Sequence, residues 1–198
     1  MALEYDPQDL MYHLTRVGGS DDDAHYHSLD VLARNREQTR EPVIALLKTA
    51  PSEFTRSRCA TVLTCMPFAQ VQDALLHALE HDVSDIVRDV AAAGLRELED
   101  TSAVPLLIAR LSDRSVIVRR WCAEILGRLR DARAIPRLKQ ALQNHDEWFV
   151  FRAAEALGRW ALPEARAKLE HLRDHALDPA VRRCAKQTLY EWDHPPVK

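Results

Sequence analysis

The hydrophobic positions of the chain fall into columns that recur at a nearly constant interval. Leu32, Leu63, Leu95, Leu126, Leu157 and Leu189 follow one another at steps of 31 or 32 residues. A polar column keeps the same steps: Asp21, Ser52, Ser84, Ser115, Asp146 and Asp178. Ser and Asp begin helices because their side-chain oxygens accept from N–H groups that the first turn leaves unpaired. Each capped segment then places apolar residues at i, i+3 and i+4, the spacing of an amphipathic helix. In residues 115–127 these are Val118, Cys122, Ile125 and Leu126. Small residues recur at Cys59, Ala91, Cys122, Ala153 and Ala185, where a neighbouring helix must approach closely.

Shorter apolar segments lie between the capped ones, such as 103–111 and 134–142. Pro42, Pro105 and Pro136 share a column there and read as first-turn prolines, whose missing N–H would be unpaired anyway. The pattern predicts twelve helices in six antiparallel pairs, near 7–17, 22–36, 40–49, 53–65, 69–80, 84–98, 102–111, 115–129, 133–144, 147–160, 164–175 and 179–192. One pair cannot bury its apolar face alone, so the pairs are expected to stack into one continuous core. That makes residues 1–198 a single repeat domain without linkers. Its first pair, 1–38, is degenerate, with Gly18 and Gly19 loosening the connection, and its clearest copies span 82–192. The outer copies serve as caps.

Composition narrows the class further. Five glycines and 6% aromatic residues, against abundant Ala, Leu and Arg, favour helix over sheet. A formal charge of −3 gives no global pull toward nucleic acid or an anionic membrane. Cys59, Cys65, Cys122 and Cys184 are too sparse for a disulfide framework or a zinc ribbon. The N-terminal residues lack a basic region followed by an apolar one, and no apolar run nears the roughly 20 residues needed to span a bilayer. A reduced cytoplasmic protein without membrane contact is expected.

The segment from Val118 to Gly127, V-R-R-W-C-A-E-I-L-G, resembles the signature helix of HEAT repeats, above all the short bacterial variety named after phycobilisome lyases. The pairs Val87–Arg88, Val118–Arg119 and Val181–Arg182 share in the resemblance, as do residues 131–136 and 156–158. Val150 and His25 depart from it in the arginine column. The resemblance implies a right-handed α-solenoid, an α-α superhelix of about six HEAT-like helix pairs. It also implies that the capped helices line a concave face. The outward positions would then be Tyr26, His27, Asp30 and Arg34; Ser57, Arg58 and Thr61; and Asp89, Val90, Ala93 and Glu97. The C-terminal half continues with Arg120, Trp121, Glu124 and Arg128, then Phe151, Arg152, Glu155 and Arg159, then Arg183, Cys184, Gln187 and Glu191.

Trp121 and Phe151 fall at outward column positions one repeat apart, beside Arg120 and Arg152. Aromatic and arginine side chains dominate binding hot spots, though both rings could equally fold down as packing. Trp148 aligns with Ile117 and is expected on the inner side. Arg56, Arg88, Arg119 and Arg182 are expected to tie repeats together through acids such as Asp82 or Asp113. His77/His81 and His171/His175 have metal-compatible i, i+4 spacing but no evident further ligand, so no metal or cofactor is expected. Cys59 and Cys122 are expected to be buried and inert, and Cys184 lacks a partner histidine. No phosphate loop, nucleophile elbow, paired-acid motif or His-Glu dipeptide is present, so no catalytic residue is assigned.

A non-catalytic scaffold or adaptor that grips a protein or peptide in its groove is the leading expectation. It would act in assembly or regulation, or as an inhibitor or immunity-type protein. Nucleic-acid binding is the alternative, motivated by Arg120, Arg128, Arg152, Arg159 and Arg183 outnumbering Glu124, Glu155 and Glu191. A bilin lyase-like subunit is a minor one, motivated by the repeat subtype alone.

Overall fold

The computed structural model describes residues 7–16 and 22–194. Asp21 and the Gly18–Gly19 connection lie outside them, as does the side chain of Tyr26. The described residues form twelve α-helices: α1 (Pro7–Arg16), α2 (Asp22–Arg34), α3 (Arg36–Thr49), α4 (Glu53–Thr64), α5 (Gln72–His81), α6 (Asp85–Gly94), α7 (Val104–Arg110), α8 (Val116–Leu129), α9 (Ile135–Ala141), α10 (Glu147–Gly158), α11 (Pro163–His175) and α12 (Pro179–Asp193). No strand occurs among them. The helices alternate in two series, as the columns predict, and the fold is an all-α solenoid of HEAT-like pairs. They divide into two compact units, Met1–Glu97 and Leu98–Lys198.

The core of each unit follows the columns. In the first, Leu32, Leu63, Leu95, Cys59 and Ala91 are fully buried. In the second, Leu126, Leu157, Cys122, Ala153 and Ala185 are fully buried, and Leu189 nearly so. The caps form at Ser52, Ser115, Asp146 and Asp178, whose side chains accept from Thr55, Val118, Phe149 and Ala180 N–H. Ser84 departs from the pattern: its hydroxyl donates to Glu53 at 2.6 Å and caps nothing. Pro105, Pro136, Pro163 and Pro179 open their helices. Pro42 is corrected: it lies inside α3, which begins at Arg36 rather than near residue 40. Asn35 alone separates α2 from α3, its amide donating to Val31 O, while the buried Thr39 hydroxyl donates to Leu32 O. The one-residue connection starts α3 early and carries the proline into the helix body.

The arginine column is tied to backbone as much as to acids. Arg56, Arg88, Arg119 and Arg182 each donate to the two carbonyls that lie six and five residues earlier, closing the loop before their own helix. Arg56 also forks onto Asp82, at 2.7 and 2.9 Å. Arg119 takes the carbonyl of Asp113 rather than a carboxylate. One repeat or more beyond Asp82 the acid column reads Asp113, Asn144 and Ala176. Asp82, Asp113 and Asn144 form the same turn, each accepting from the N–H two residues on at 2.9 Å. Asn144 has no carboxylate to offer, and the buried Nε of Arg119 is without a partner. Where Val150 replaces the arginine, Ala176 replaces the acid, and both are buried. Glu147 there takes over the loop, accepting from Leu177 and Asp178 N–H.

Asn144→Asp presents a carboxylate in the turn that serves Asp82, and is expected to stabilise by about 0.5–1 kcal/mol. A rise in Tm supports this pairing, and a fall contradicts it. Burial of Asp82 works against its charged form, but the Arg56 fork and the Ser84 N–H outweigh it and hold the carboxyl below the usual range. A depressed folded pKa means that stabilisation is complete above the unfolded value, about 3.9, and is lost as pH falls through the folded one. Asp82→Asn is therefore expected to be less stable than wild type at neutral pH, with the gap closing in acid. A gap that stays constant across acid melts contradicts the assignment.

Candidate functional site

Within Leu98–Lys198, α8 and α10 pack side by side and leave a cavity of about 330 Å³ at their exposed face. Ile117, Arg120, Trp121, Glu124, Trp148 and Arg152 line it. Four of these, Arg120, Trp121, Glu124 and Arg152, are outward positions in the sequence columns, and the structure brings them together. Ile117 and Trp148 are corrections. Ile117 is 45% exposed and Trp148 half-buried, so their column forms a cavity wall rather than an inner face. Both stand in the first turn of their helices, two residues beyond the cap. The same column in the other unit exposes Phe54 and Ile86.

Phe151 is corrected in the opposite direction. It is 3% exposed and stands edge-on to Trp148, ring centroids 6.0 Å apart, with the Arg152 guanidinium 5.6 Å above its ring. Phe151 thus backs the cavity wall and offers no surface of its own. The Trp148 indole N–H donates to Asp178 at 2.8 Å, which fixes the ring.

The charged walls are held in place. Arg120 forks onto Asp146 at 3.0 and 2.6 Å, and Asp146 also caps α10 through Phe149 N–H. Burial opposes ionisation of Asp146, but the Arg120 fork and that N–H outweigh it and hold its pKa below the usual carboxylate range. Arg152 donates to Glu155 at 2.8 Å and lies 3.4 Å from Glu124. The two arginines inside the cavity are therefore neutralised by three acids, and the cavity is a mixed-charge pocket with apolar walls. Arg128 is half-buried, while Arg159 and Arg183 are exposed; none of the three lines the cavity.

The outward positions of Met1–Glu97 give a different surface. Arg34 pairs with Asp30 at 2.9 Å, and the hydroxyls of Ser57 and Thr61 turn back to the carbonyls of Phe54 and Ser57. Thr61, Val90, Ala93 and Glu97 border a depression of about 440 Å³ that has small or polar walls and no aromatic ring.

His77/His81 and His171/His175 bring their ring centroids to 4.7 Å within each pair. Among the described residues no group of three or more His, Cys, Asp or Glu is placed to hold a metal ion. Burial pushes the Cys59 thiol up to about 12 and raises Cys122 as well, with Asp113 adding to the latter. Such thiols are poor nucleophiles at neutral pH. Cys184 is half-buried on α12. No helix among the described residues is long and apolar enough to cross a membrane.

Comparison with known proteins places the chain. Residues 103–190 match the HEAT repeats family, and residues 87–113 match the PBS lyase HEAT-like repeat. No curated protein matches the chain. Among solved structures, it is similar to the complex of CpcE and CpcF of phycocyanin lyase from Nostoc sp. PCC7120, with 22% identity over 96% of this chain and 79% of that one and a TM-score of 0.62. A HEAT-like repeats protein from the archaeon Thermococcus onnurineus NA1 aligns at 17% identity over 96% and 88%, TM-score 0.54. Computationally designed armadillo repeat proteins for modular peptide recognition align at 19% over 91% and 98%, TM-score 0.56. These likenesses bear on fold. The two family matches together run from residue 87 to 190, more than half of the sequence, and the chain belongs to the HEAT-repeat family.

Proposed function

We propose that the chain is a protein-binding scaffold whose docking site is the cavity between α8 and α10. One observation carries the reading: two indoles and a half-exposed isoleucine converge on a cavity whose arginines are already fixed by acids. Large rigid aromatic surface bordered by pre-set polar groups is the make-up of an interface hot spot, because it buries area at little entropic cost. A catalytic reading finds less support, since Asp146, Glu124 and Glu155 are engaged with arginines. The arginine surplus that motivated nucleic-acid binding is reduced at the cavity for the same reason. The solved fold relatives include a two-protein complex and designs for peptide recognition, which suits the reading.

Trp121→Ala is expected to weaken partner binding by about 2 kcal/mol or more, roughly 30-fold, while the variant still melts cooperatively near the wild-type Tm. Nuclease-treated lysate of the source cell, passed over wild type and variant side by side, provides the check. Equal recovery of every partner on both columns contradicts the proposal.

A further inference from the structure

Among the described residues, Leu177 is the large apolar side chain most open to water, at 87%. It stands in the loop that enters α12, and its backbone is held on both sides. Glu147 accepts from Leu177 N–H at 2.6 Å and from Asp178 N–H at 3.0 Å, while Arg182 donates to Leu177 O. Asp178, the next residue, receives the Trp148 indole N–H at 2.8 Å. Glu147 and Trp148 open α10, so this loop is tied to the same turn that supplies one wall of the cavity. Ile117, Trp148 and Leu177 thus come from the entries of three successive capped helices, α8, α10 and α12. The charged side chains that line the cavity or hold the loop are bonded within the chain. Arg120 is taken by Asp146, and Arg152 by Glu155 and Glu124. Glu147 is taken by backbone N–H groups, Arg182 by backbone carbonyls, and Asp178 by Ala180 N–H and the indole.

From these paired charges and the bare leucine we infer that the docking site extends from the cavity to Leu177, and that its occupant is a segment of a protein partner with two uncharged apolar side chains. One enters the cavity between Trp121 and Trp148, and the other covers Leu177. The inference rests on the protein-binding reading and adds a contact residue and the chemistry of the partner. An ionised anchor would lose its water against walls whose charges already have partners, a penalty that no open counterion there offsets. A nucleic acid meets the same obstacle, because its affinity comes from phosphates neutralised by free cations. An uncharged side chain loses little on entry and buries apolar area against Ile117 and the indoles. The hydrogen bonds at Leu177 present its side chain without the entropy cost of ordering the loop on binding.

The test is a library of random peptides displayed on phage, panned on the full chain and counter-selected on Trp121→Ala. Retained peptides are expected to share two residues from Leu, Ile, Met, Phe and Trp, with no charged residue in common. A synthetic representative should lose about 10-fold or more in affinity when either apolar residue becomes Lys or Glu. Its affinity should change by less than about 2-fold between about 0.05 and 0.5 M salt, since screening acts on charge pairs that this contact lacks. Leu177→Ser should weaken the same peptide by about 5-fold or more and leave Tm unchanged, because the side chain is in water in the free chain. Retained peptides that share an acid or a base, that weaken about 10-fold with salt, or that bind Leu177→Ser as they bind wild type overturn this inference and leave the protein-binding reading standing. A library that yields no peptide dependent on Trp121 overturns both. In that case a single-stranded DNA oligonucleotide that binds wild type but not Trp121→Ala identifies the replacement.

Discussion

Leu126→Ala is expected to destabilise the chain by about 2–5 kcal/mol. Leu126 is fully buried in α8, in the leucine column that defines the repeat, and its column mate Leu157 is fully buried in α10. Truncation removes apolar transfer energy and leaves a cavity that two closely packed helices cannot collapse around. The expected contrast is Ile117→Ala, which removes a half-exposed side chain from the same helix and should cost within about 0.5 kcal/mol. Denaturant unfolding of the two variants measures the difference. Equal midpoints contradict the register on which the fold rests.

The next residue gives the second large effect, with the opposite chemistry. A Cβ on Gly127 would lie 2.7 Å from the Ala156 Cβ and 2.8 Å from its Cα. The obstacle is backbone of α10, which cannot rotate aside as a long side chain can. Gly127→Ala is therefore expected to destabilise by about 1–3 kcal/mol, despite the roughly 1 kcal/mol that Ala gains over Gly in helix propensity. At Gly158 the same addition meets only the Trp192 ring, at 3.0 Å, and should cost less. Ala156→Gly introduced beside Gly127→Ala removes the Cβ contact and should recover part of the loss. A neutral or stabilising Gly127→Ala contradicts the close approach of α8 and α10.

The columns of Leu, Cys/Ala and Ser/Asp made the helices, their order and their buried faces legible, because caps and core contacts recur with the repeat. Boundaries were less so. Nothing local announces that α2 and α3 are separated by Asn35 alone, since that turn is closed by Asn35 and Thr39 bonding to carbonyls of the preceding helix.

At the site, Arg120, Trp121, Glu124 and Arg152 were legible from helical phase. Ile117 and Trp148 were misread because hydropathy suggests core for any Ile or Trp, while their place in the first turn directs them outward. The recurrence of Phe54, Ile86, Ile117 and Trp148 in one column was the available signal. Phe151 shares the outward phase of Arg120, yet the Trp148 ring and the Arg152 guanidinium cover it. Partner choice among the arginines depended on loops of the following copy. Arg56–Asp82 and Arg120–Asp146 each span 26 residues, from neighbouring columns, and helical phase does not say which column reaches the acid.

The central claim is that a protein partner docks on the α8–α10 cavity, and backbone hydrogen exchange of the full chain with and without the captured partner tests it most directly. The prediction is slowed exchange concentrated in residues 115–125 and 147–153 of the bound chain. Protection confined to α7, α9 and α11, or to residues 22–97, with none in those two segments, contradicts it.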